Sequence, residues 1–524
     1  MKRLLLFLAV LCIAITGCSS DNTGKVFRYD IASTVSNLDP QYAVDSTARL
    51  IIANIFEGLV VQEPDGTIAP GVAERWEVSS DGTVYTFYLR DDTGWHGKES
   101  VPVTAHDFVF TFRRIFSTDS PSPYASDFLL IKNGAAVKSG SVGYGHLGVK
   151  ALNDFTLEIT LEHASPLFLE LMATTAAMPC NEKAFQEARG RYGLEKKLVG
   201  ANGPFYVDGW TDKQISLRVN SHYRSDRETL SGGVNLYIGR EDSAGRVLSE
   251  TTDVAKIPIA SKTKALSDGL HVQTFEKTTW CIVFNLRDAT WSNPLIRQGL
   301  AYALEYRFFT GMLTENFTAT SVLVPPATLL GDHFYREQAD KSTPLAYDTQ
   351  KARTLFNMGL EALGLEHLPT TQFYVPDTGN HPLQMGLVQQ GWQKNLAAYI
   401  NIAPVSAQEI EERLVSGRFQ VMLAPFSPSS PRVESLLSDF TGTSSRNWTG
   451  YENPRYDHLL DTAVNETSMD RAAIRFGQAE RMLLADAVVI PVYFETTYYA
   501  TGKEVEGIEI YPFGDRIYFK YGLK

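Results

Sequence analysis

Cysteine is scarce in this chain, which has only four in 524 residues. That number is too small for a disulfide scaffold or for a four-cysteine zinc site in an exported protein. Beyond the N-terminus no run of 18 apolar residues occurs, so the sequence offers no other candidate for a transmembrane helix. Basic residues are outnumbered as well, with 48 Lys and Arg against 60 Asp and Glu and a formal net charge of −12. This balance argues against nucleic-acid binding, which requires a basic surface.

Sequence motifs for catalysis and metal binding are also missing. The chain contains no P-loop, no H-E-x-x-H and no G-x-S-x-G string, and its ten histidines form no i,i+4 pair on a predicted helix. Residues Gly143 to Gly148 fit G-x-G-x-x-G, but a Gly/Ser loop precedes them and a strand pattern follows, whereas nucleotide binding requires a strand and then a helix. We therefore expect a loop at this position, no metal, no cofactor and no enzymatic activity.

The first residues have the pattern of an export signal. A basic start at Lys2 and Arg3 is followed by an apolar run from Leu4 to Ile15, which is too short to span a bilayer. The ending Ile-Thr-Gly-Cys18 resembles a bacterial lipobox. This resemblance implies that residues 1–17 are a signal peptide and that Cys18 carries the lipid anchor. The alternative is an ordinary cleaved signal with an incidental cysteine.

Two cysteines remain after export. Cys12 leaves with the signal and Cys18 would be acylated, which leaves Cys180 and Cys281 in an oxidising compartment. These two residues either form a disulfide or remain separate buried thiols, and the sequence does not decide between the two outcomes.

Strand and helix patterns alternate along most of the chain, which predicts an α/β architecture. A strand is predicted from Phe27 to Val35, and hairpins around Asp81-Gly82 and Asn153-Asp154. Two strands are predicted within Phe205 to Val219, and a last one from Val488 to Phe494. Helices are predicted after Thr104 and over Asn293 to Arg307, Thr349 to Leu363, Leu383 to Tyr399 and Arg471 to Ala485.

Several segments match a known family in sequence order. They are Ile68 to Trp76, Asp81 to Arg90, Val103 to Phe110, Ser122 to Ser126, Asn202 to Phe205, Tyr451 to Asp457 and Val489 to Tyr493. The chain resembles the extracytoplasmic solute-binding proteins of peptide ABC transporters, the oligopeptide- and dipeptide-binding family. The resemblance extends over essentially the whole chain after the signal peptide.

This resemblance implies a large, two-lobed periplasmic-binding-protein fold of class II with an extra inserted subdomain. Lobe I would consist of residues 18–56, 181–280 and 495–524, and the inserted subdomain of residues 57–180. Lobe II would span residues 281–494. The chain would cross between the lobes twice, and a ligand would bind in the cleft and be enclosed when the lobes close.

One segment departs from the family pattern at an expected binding position. Peptide-binding members place an aspartate three residues after an aromatic, where it binds the α-amino group of the peptide. Here the aromatic is Phe426, Ser427 follows it, and the position of the aspartate is occupied by Ser429. Recognition of a free amino terminus therefore needs another carboxylate, and Glu495 is the candidate. The alternative, which is favoured at this point, is that Glu495 is a solvated residue beside the hinge.

Other candidate ligand-binding residues follow from the resemblance, each with a structural alternative. His381 falls where oligopeptide binders carry a histidine near the carboxyl end of the peptide, or it caps a helix beginning near Pro382. Tyr124 matches a ligand-contacting tyrosine, or it packs in the core. Trp280 and Trp448 would provide apolar walls, or they are core tryptophans.

The resemblance implies a monomeric, lipid-anchored receptor on the extracytoplasmic side of a bacterial membrane. It would capture oligopeptides, deliver them to an ABC permease, and contact the membrane only through its lipid. An alternative is the same fold holding a non-peptide or N-blocked ligand, such as a metal chelate or a glycan, which the serine at position 429 favours. An enzyme or an exported chaperone is a third class.

Overall fold

The computed structural model describes residues 24–31, 34–120, 122–165, 168–306, 313, 316–331, 333–339, 344–428, 430–444, 446–466, 468–511, 513 and 516–524. The predicted signal peptide, Cys18 and Ser429 lie outside these residues. Among the described residues, no helix combines the length and the apolar character needed to cross a membrane.

The strands of the described chain are short except for two. In chain order they are β1 Val26–Ile31, β2 Val60–Gln62, β3 Ile68–Pro70, β4 Ala73–Val78, β5 Val84–Leu89, β6 Gly94–Trp95, β7 Val101–Pro102, β8 Val149–Asn153, β9 Thr156–Thr160, β10 Phe205–Trp210, β11 Gln214–Val219, β12 Gly233–Ile238, β13 Val254–Ile257, β14 His271–Phe284, β15 Phe317–Ala319, β16 Leu329–Leu330, β17 His333–Phe334, β18 Thr371–Pro376, β19 Ile400–Val405, β20 Val421–Phe426, β21 Val489–Thr501, β22 Glu509–Ile510 and β23 Ile517–Tyr518.

The α-helices are distributed among these strands along the chain. They are α1 Ser46–Ile55, α2 Ala105–Ile115, α3 Gly134–Lys138, α4 Phe168–Met172, α5 Glu182–Glu187, α6 Ser243–Leu248, α7 Ile259–Ser267, α8 Pro294–Tyr302, α9 Tyr335–Gln338, α10 Thr349–Ala362, α11 His381–Leu396, α12 Ala407–Ser416, α13 Val433–Leu437, α14 Pro454–Val464 and α15 Met469–Ala485.

Local sequence signals account for many of these boundaries. Helix α2 begins after Thr104, whose capping box with Asp107 satisfies free N–H groups of the first turn. The turn of the β4–β5 hairpin contains Gly82 at φ +71°, a left-handed conformation that glycine adopts without a Cβ clash. The hairpins β4–β5 and β8–β9, strands β10 and β11, and the helix after Thr104 confirm the predictions.

Other predicted boundaries were wrong. Strand β1, Val26–Ile31, does not include Val35, and helix α8 ends at Tyr302 rather than at Arg307. Helix α11 spans His381–Leu396, whereas the prediction was Leu383 to Tyr399. Its start is earlier because Pro382 is favourable in the first turn, and its end is earlier because Ala397 adopts a left-handed conformation. Strand β21 continues seven residues beyond Phe494, since ladder pairing with β13 and β14 holds its threonine-rich second half.

The segment from Gly143 to Gly148 is a loop with a single 3₁₀ turn at Tyr144–His146, as predicted. Strand β8 follows it, so the helix that nucleotide binding would require is not there. Cys180 and Cys281 are both buried free thiols, which decides between the two alternatives left by the sequence.

The principal sheet has eleven strands in the order β10-β11-β12-β1-β13-β21-β14-β20-β18-β19, with β15 paired to β21. Strands β14 and β21 form its centre as an antiparallel pair and are the longest strands described, with 14 and 13 residues. A separate four-stranded sheet, in the order β4-β5-β9-β8, packs against α2. The two long strands therefore connect the two halves of the principal sheet.

Hydrophobic cores form on both sides of these central strands. We call the larger one the first core; it contains Phe27, Phe108, Val254, Phe519 and neighbouring residues. On the other side, two clusters contain residues between Cys281 and Tyr493; the one with Phe426 and Leu436 is the second core, and the one with Trp291 and Tyr493 is the third core. The principal sheet thus runs from the first core to the second and third.

Candidate functional site

Glu495 lies on strand β21 between residues that pack in two different hydrophobic cores. Side chains two apart along a strand share a face, so Tyr493, Glu495 and Tyr499 point the same way. Tyr493 is fully buried in the third core, whereas Tyr499 packs against the first core. Glu495 lies between them and is only partly buried. The carboxylate is therefore placed where the two sides of the molecule meet.

Trp280 of the neighbouring strand β14 fixes the orientation of this carboxylate. The indole Nε1–H donates a hydrogen bond to Oε2 of Glu495 at 2.8 Å. In the register of the two strands Trp280 is opposite Tyr493, and Thr278 is opposite Glu495. The Trp280 ring is also partly buried. Trp280 and Glu495 thus place an aromatic ring beside a carboxylate whose Oε2 is held by the indole N–H.

His381, the first residue of α11, completes this corner. Its Nδ1 lies 2.5 Å from the Tyr493 hydroxyl, and its ring centroid lies 4.4 Å from that of Trp280. Burial lowers the pKa of His381 to about 4, while the charge of Glu495 acts in the opposite direction. The imidazole is therefore neutral at physiological pH, so it adds a polar but uncharged surface beside the carboxylate.

Phe317 belongs to the same cluster, although no sequence pattern pointed to it. Its ring centroid lies 4.8 Å from that of Tyr493 and 5.5 Å from that of His381. It begins strand β15, a three-residue strand paired with the edge of β21 from Phe317 to Ala319. No motif or hydrophobic periodicity marks such a short strand, so only the tertiary structure brings this ring to the site. We call Trp280, Phe317, His381, Tyr493 and Glu495 the Glu495 cluster.

Phe426 and Ser427 lie next to this cluster on the other side of β14. Phe426 ends β20 opposite Thr279, and the Ser427 hydroxyl lies 2.7 Å from the hydroxyl of Thr278. The Phe426 ring is buried, with its centroid 6.0 Å from that of Trp448, which is partly buried. The structure thus places six of the predicted residues on the adjacent strands β20, β14 and β21 or next to them. They are Trp280, His381, Phe426, Ser427, Trp448 and Glu495.

Tyr124 packs against the first core, whereas Trp280, Phe317 and Tyr493 of the Glu495 cluster belong to the third core. The Tyr124 hydroxyl donates a hydrogen bond of 2.5 Å to the carbonyl oxygen of Ala43. The ligand-contacting role expected for Tyr124 stays a prediction, and part of its side chain is exposed. Across the described residues, no group of three or more His, Cys, Asp or Glu side chains has the geometry of a metal site.

Glu170 makes a contact between the two sides that the sequence did not predict. It belongs to α4, which contributes Phe168 and Met172 to the first core. Its Oε1 lies 2.6 Å from Nε of Arg432, and its Oε2 accepts a hydrogen bond of 2.9 Å from the Ser430 hydroxyl. Both partners directly precede α13, which packs in the second core. Because 260 residues separate Glu170 from Ser430, no local pattern could have revealed this contact.

Comparison with known proteins identifies the family. The model for the middle region of the bacterial extracellular solute-binding proteins, family 5, matches residues 67–448. The oligopeptide-binding protein OppA of Bacillus subtilis is 28% identical over 517 residues, with 95% of this chain and 93% of that protein covered. The probable deoxycholate-binding periplasmic protein YgiS of Escherichia coli is 26% identical, with 95% of this chain and 93% of that protein covered.

A solved structure agrees over a similar length. OppA of Listeria monocytogenes bound to peptide superposes with a TM-score of 0.78 at 25% identity, covering 95% of this chain and 99% of that one. This agreement confirms the predicted two-lobed periplasmic-binding-protein fold with mixed α/β structure. The chain therefore belongs to the bacterial extracellular solute-binding proteins of family 5.

Proposed function

We propose that this protein captures oligopeptides in the cleft between its two lobes and delivers them to an ABC permease for uptake. The whole-chain similarity to oligopeptide-binding proteins supports this function. The lobes would have the boundaries expected from the sequence, with residues 18–56, 181–280 and 495–524 in lobe I, residues 57–180 as its inserted subdomain, and residues 281–494 in lobe II. Strands β14 and β21 would then carry the two crossings between the lobes.

The observation that carries the proposal is the position of Glu495. A partly buried carboxylate beside aromatic rings, between two cores, suits the ammonium end of a peptide. At about 4 Å and an effective dielectric near 20, such a pair of charges is worth roughly 4 kcal/mol. Because His381 is neutral, it does not compete for the carboxylate. We assign to Glu495 the role that the family aspartate would have at Ser429.

The neighbouring rings would form the walls of the peptide site. The partly buried indole of Trp280 offers an aromatic face to a cationic or apolar group. Trp448 would line the far side of Phe426, and the hydroxyl of Ser427 would be available to a peptide backbone group or to a bridging water. Adaptable contacts of this kind tolerate different side chains, because main-chain groups are common to all peptides.

The cellular context belongs to the same proposal. Residues 1–17 would direct export, and Cys18 would carry lipids that tether the protein to the extracytoplasmic side of the membrane. Solute capture requires no chemical step, so we assign no catalytic role to any residue, and a monomer suffices for binding.

A second ligand class is supported by one specific observation. By the family resemblance, Ser429 stands where peptide binders carry an aspartate. A blocked peptide or a non-peptide solute has no ammonium group to pair with that aspartate, so the serine would not weaken its binding. One relative, YgiS of Escherichia coli, is named as a probable deoxycholate-binding protein and not as a peptide-binding protein. A ligand of this class would use the aromatic surface of the Glu495 cluster rather than its charge.

Isothermal titration calorimetry with matched tripeptides tests the proposal. Free tripeptides and their N-acetylated forms are titrated into the full chain after retained solute has been removed. We expect the free peptides to bind at least tenfold more tightly, which corresponds to about 1.4 kcal/mol. Equal affinities would overturn the amine-binding role, and binding of neither form would favour the second ligand class.

A further inference from the structure

The contact between Glu170 and the segment before α13 joins two separate hydrophobic cores. Glu170 contacts Ser430 and Arg432 as described above, and its side chain keeps only 12% of its surface exposed. Close steric fit accompanies the polar contact. A Cβ atom built on Gly66, in the turn between β2 and β3, would lie 2.4 Å from Cγ of Pro431. The two sides are therefore in direct contact here, and we call this region the seam.

The seam is rich in buried carboxyl groups. Glu434 is 9% exposed and has Glu170 and Arg432 as its charged neighbours. Asp439 is 6% exposed, with Arg446 at 3.3 Å and Asp127 of the opposite side also acting on it. Three mostly buried carboxyl groups thus lie near two arginine side chains. The exposed Asp127, on the first-core side, is a further negative group. The groups are Glu170, Glu434, Asp439, Arg432, Arg446 and Asp127.

We propose that the seam is a proton-linked latch, which holds the two lobes closed more firmly at mildly acidic pH than at alkaline pH. The ion pair of Glu170 with Arg432 provides the attraction between the two sides. The carboxyl groups provide the linkage to protons, because Glu170 acts on Glu434, and Asp127 acts on Asp439, as like charges from opposite sides of the seam.

The direction of the linkage follows from these pairs. Burial raises the pKa of Glu434 to about 7, and the charge of Glu170 adds to this effect. Burial also raises the pKa of Asp439 to about 7; Arg446 opposes the rise and Asp127 adds to it. Opening separates these like charges, so the pKa values of Glu434 and Asp439 are lower in the open state than in the closed state. The closed state therefore binds more protons than the open state at pH values near these pKa values, and acid favours closure.

Proton linkage would also affect the release of solute. A receptor that closes more readily in acid retains its solute longer there, because dissociation requires opening. The latch does not depend on which solute the cleft accepts. Its test needs no added solute, so its failure would leave the proposed peptide binding untouched.

A distance measurement across the seam tests the latch. Spin labels are placed on Lys150→Cys in β8 and Lys394→Cys in α11 of the full chain; both lysines are exposed, and the buried Cys180 and Cys281 should not react. Distance distributions are recorded without solute at about pH 8 and about pH 5.5. We expect the ratio of closed to open molecules to rise in acid. The rise should be about tenfold for each group whose pKa is one unit higher in the closed state than in the open state.

Two substitutions identify the groups responsible. Glu434→Gln should raise the closed fraction at about pH 8 and flatten the pH response, and Asp127→Asn should act in the same direction through Asp439. Glu361→Gln, an exposed position on α10, is the matched control and should respond as the unsubstituted protein does. A closed fraction that does not change with pH, or that rises towards alkaline pH, would overturn the latch. So would Glu434→Gln and Asp127→Asn variants that both respond as the control does.

Discussion

The indole Nε1–H of Trp280 donates a hydrogen bond of 2.8 Å to Oε2 of Glu495, across two strands that connect the halves of the sheet. This bond orients one carboxylate oxygen and leaves the acceptor capacity of the group incompletely used. His381 and Tyr493 close the same corner with a hydrogen bond of their own. Peptide binding by this protein is therefore expected to depend on a carboxylate that is held by an aromatic residue.

Glu495→Gln should weaken the binding of free tripeptides at least tenfold, because it removes the charge that pairs with the ammonium group but keeps the side-chain shape. N-acetylated tripeptides should bind the variant as they bind the unsubstituted protein. Calorimetry measures both affinities, with Glu361→Gln as the control. An equal loss for free and acetylated peptides would show that Glu495 acts on packing rather than on the amine.

Trp280→Phe should reduce the affinity for free tripeptides several-fold while retaining an aromatic face. The substitution removes the N–H that orients Glu495, at a cost of about 1 kcal/mol for a lost hydrogen bond to a partly exposed group. The affinity for acetylated peptides should change less. Unchanged affinity for both peptides would show that the orientation of the carboxylate does not matter for binding.

His381→Gln should alter how stability depends on pH. The pKa of His381 in the folded chain, about 4, is below its unfolded value of about 6.5, so its neutral form contributes stability that is complete above pH 6.5. That contribution is lost as the pH falls towards 4, by up to about 3 kcal/mol. Urea unfolding at about pH 7.5 and pH 4.5 should show a smaller acid loss for the variant than for the original chain. Equal losses would contradict the low pKa.

Arg432→Gln should open the molecule. It leaves Glu170 with the Ser430 hydroxyl but without a cationic partner, which disfavours closure by about 1–2 kcal/mol because both side chains retain some exposure. Small-angle scattering should then give a larger radius of gyration for the variant. Arg455→Gln, an exposed change on α14, is the control. A variant as compact as the control would show that the ion pair does not hold the lobes together.

Glu480→Gln should destabilise the fold without affecting the cleft directly. Glu480 is 3% exposed and accepts hydrogen bonds from Arg336 and from the N–H groups of Leu323 and Val324. Neutralising it leaves the Arg336 charge buried, at a cost of about 3–5 kcal/mol. Chemical denaturation measures this loss, and a change below about 1 kcal/mol would indicate that the pair is not buried in solution.

Local chemistry explains which parts of this structure could be predicted. Thr104 caps its helix and Asp81-Gly82 turns its hairpin through contacts within a few residues, so the sequence alone identifies both. The two-lobed fold and Trp280, His381 and Glu495 as candidates came from the family resemblance. The contacts among these residues depend on the register of β14 against β21 and on a short strand at Phe317, which local patterns do not encode.

The same reasoning explains the errors. The predicted end of the last strand followed the apolar run to Phe494, but burial between neighbouring strands lets threonines continue β21 to Thr501. The contact of Glu170 with Arg432 joins segments far apart in the chain, and only the tertiary structure brings them together.

Mass spectrometry of retained solute tests the central claim most directly. The full chain is purified without unfolding, its solute is released by denaturation, and the released molecules are identified. The account predicts short peptides with free amino termini, and fewer of them from the Glu495→Gln variant. Release of a non-peptide solute alone, in equal amounts from both proteins, would contradict it.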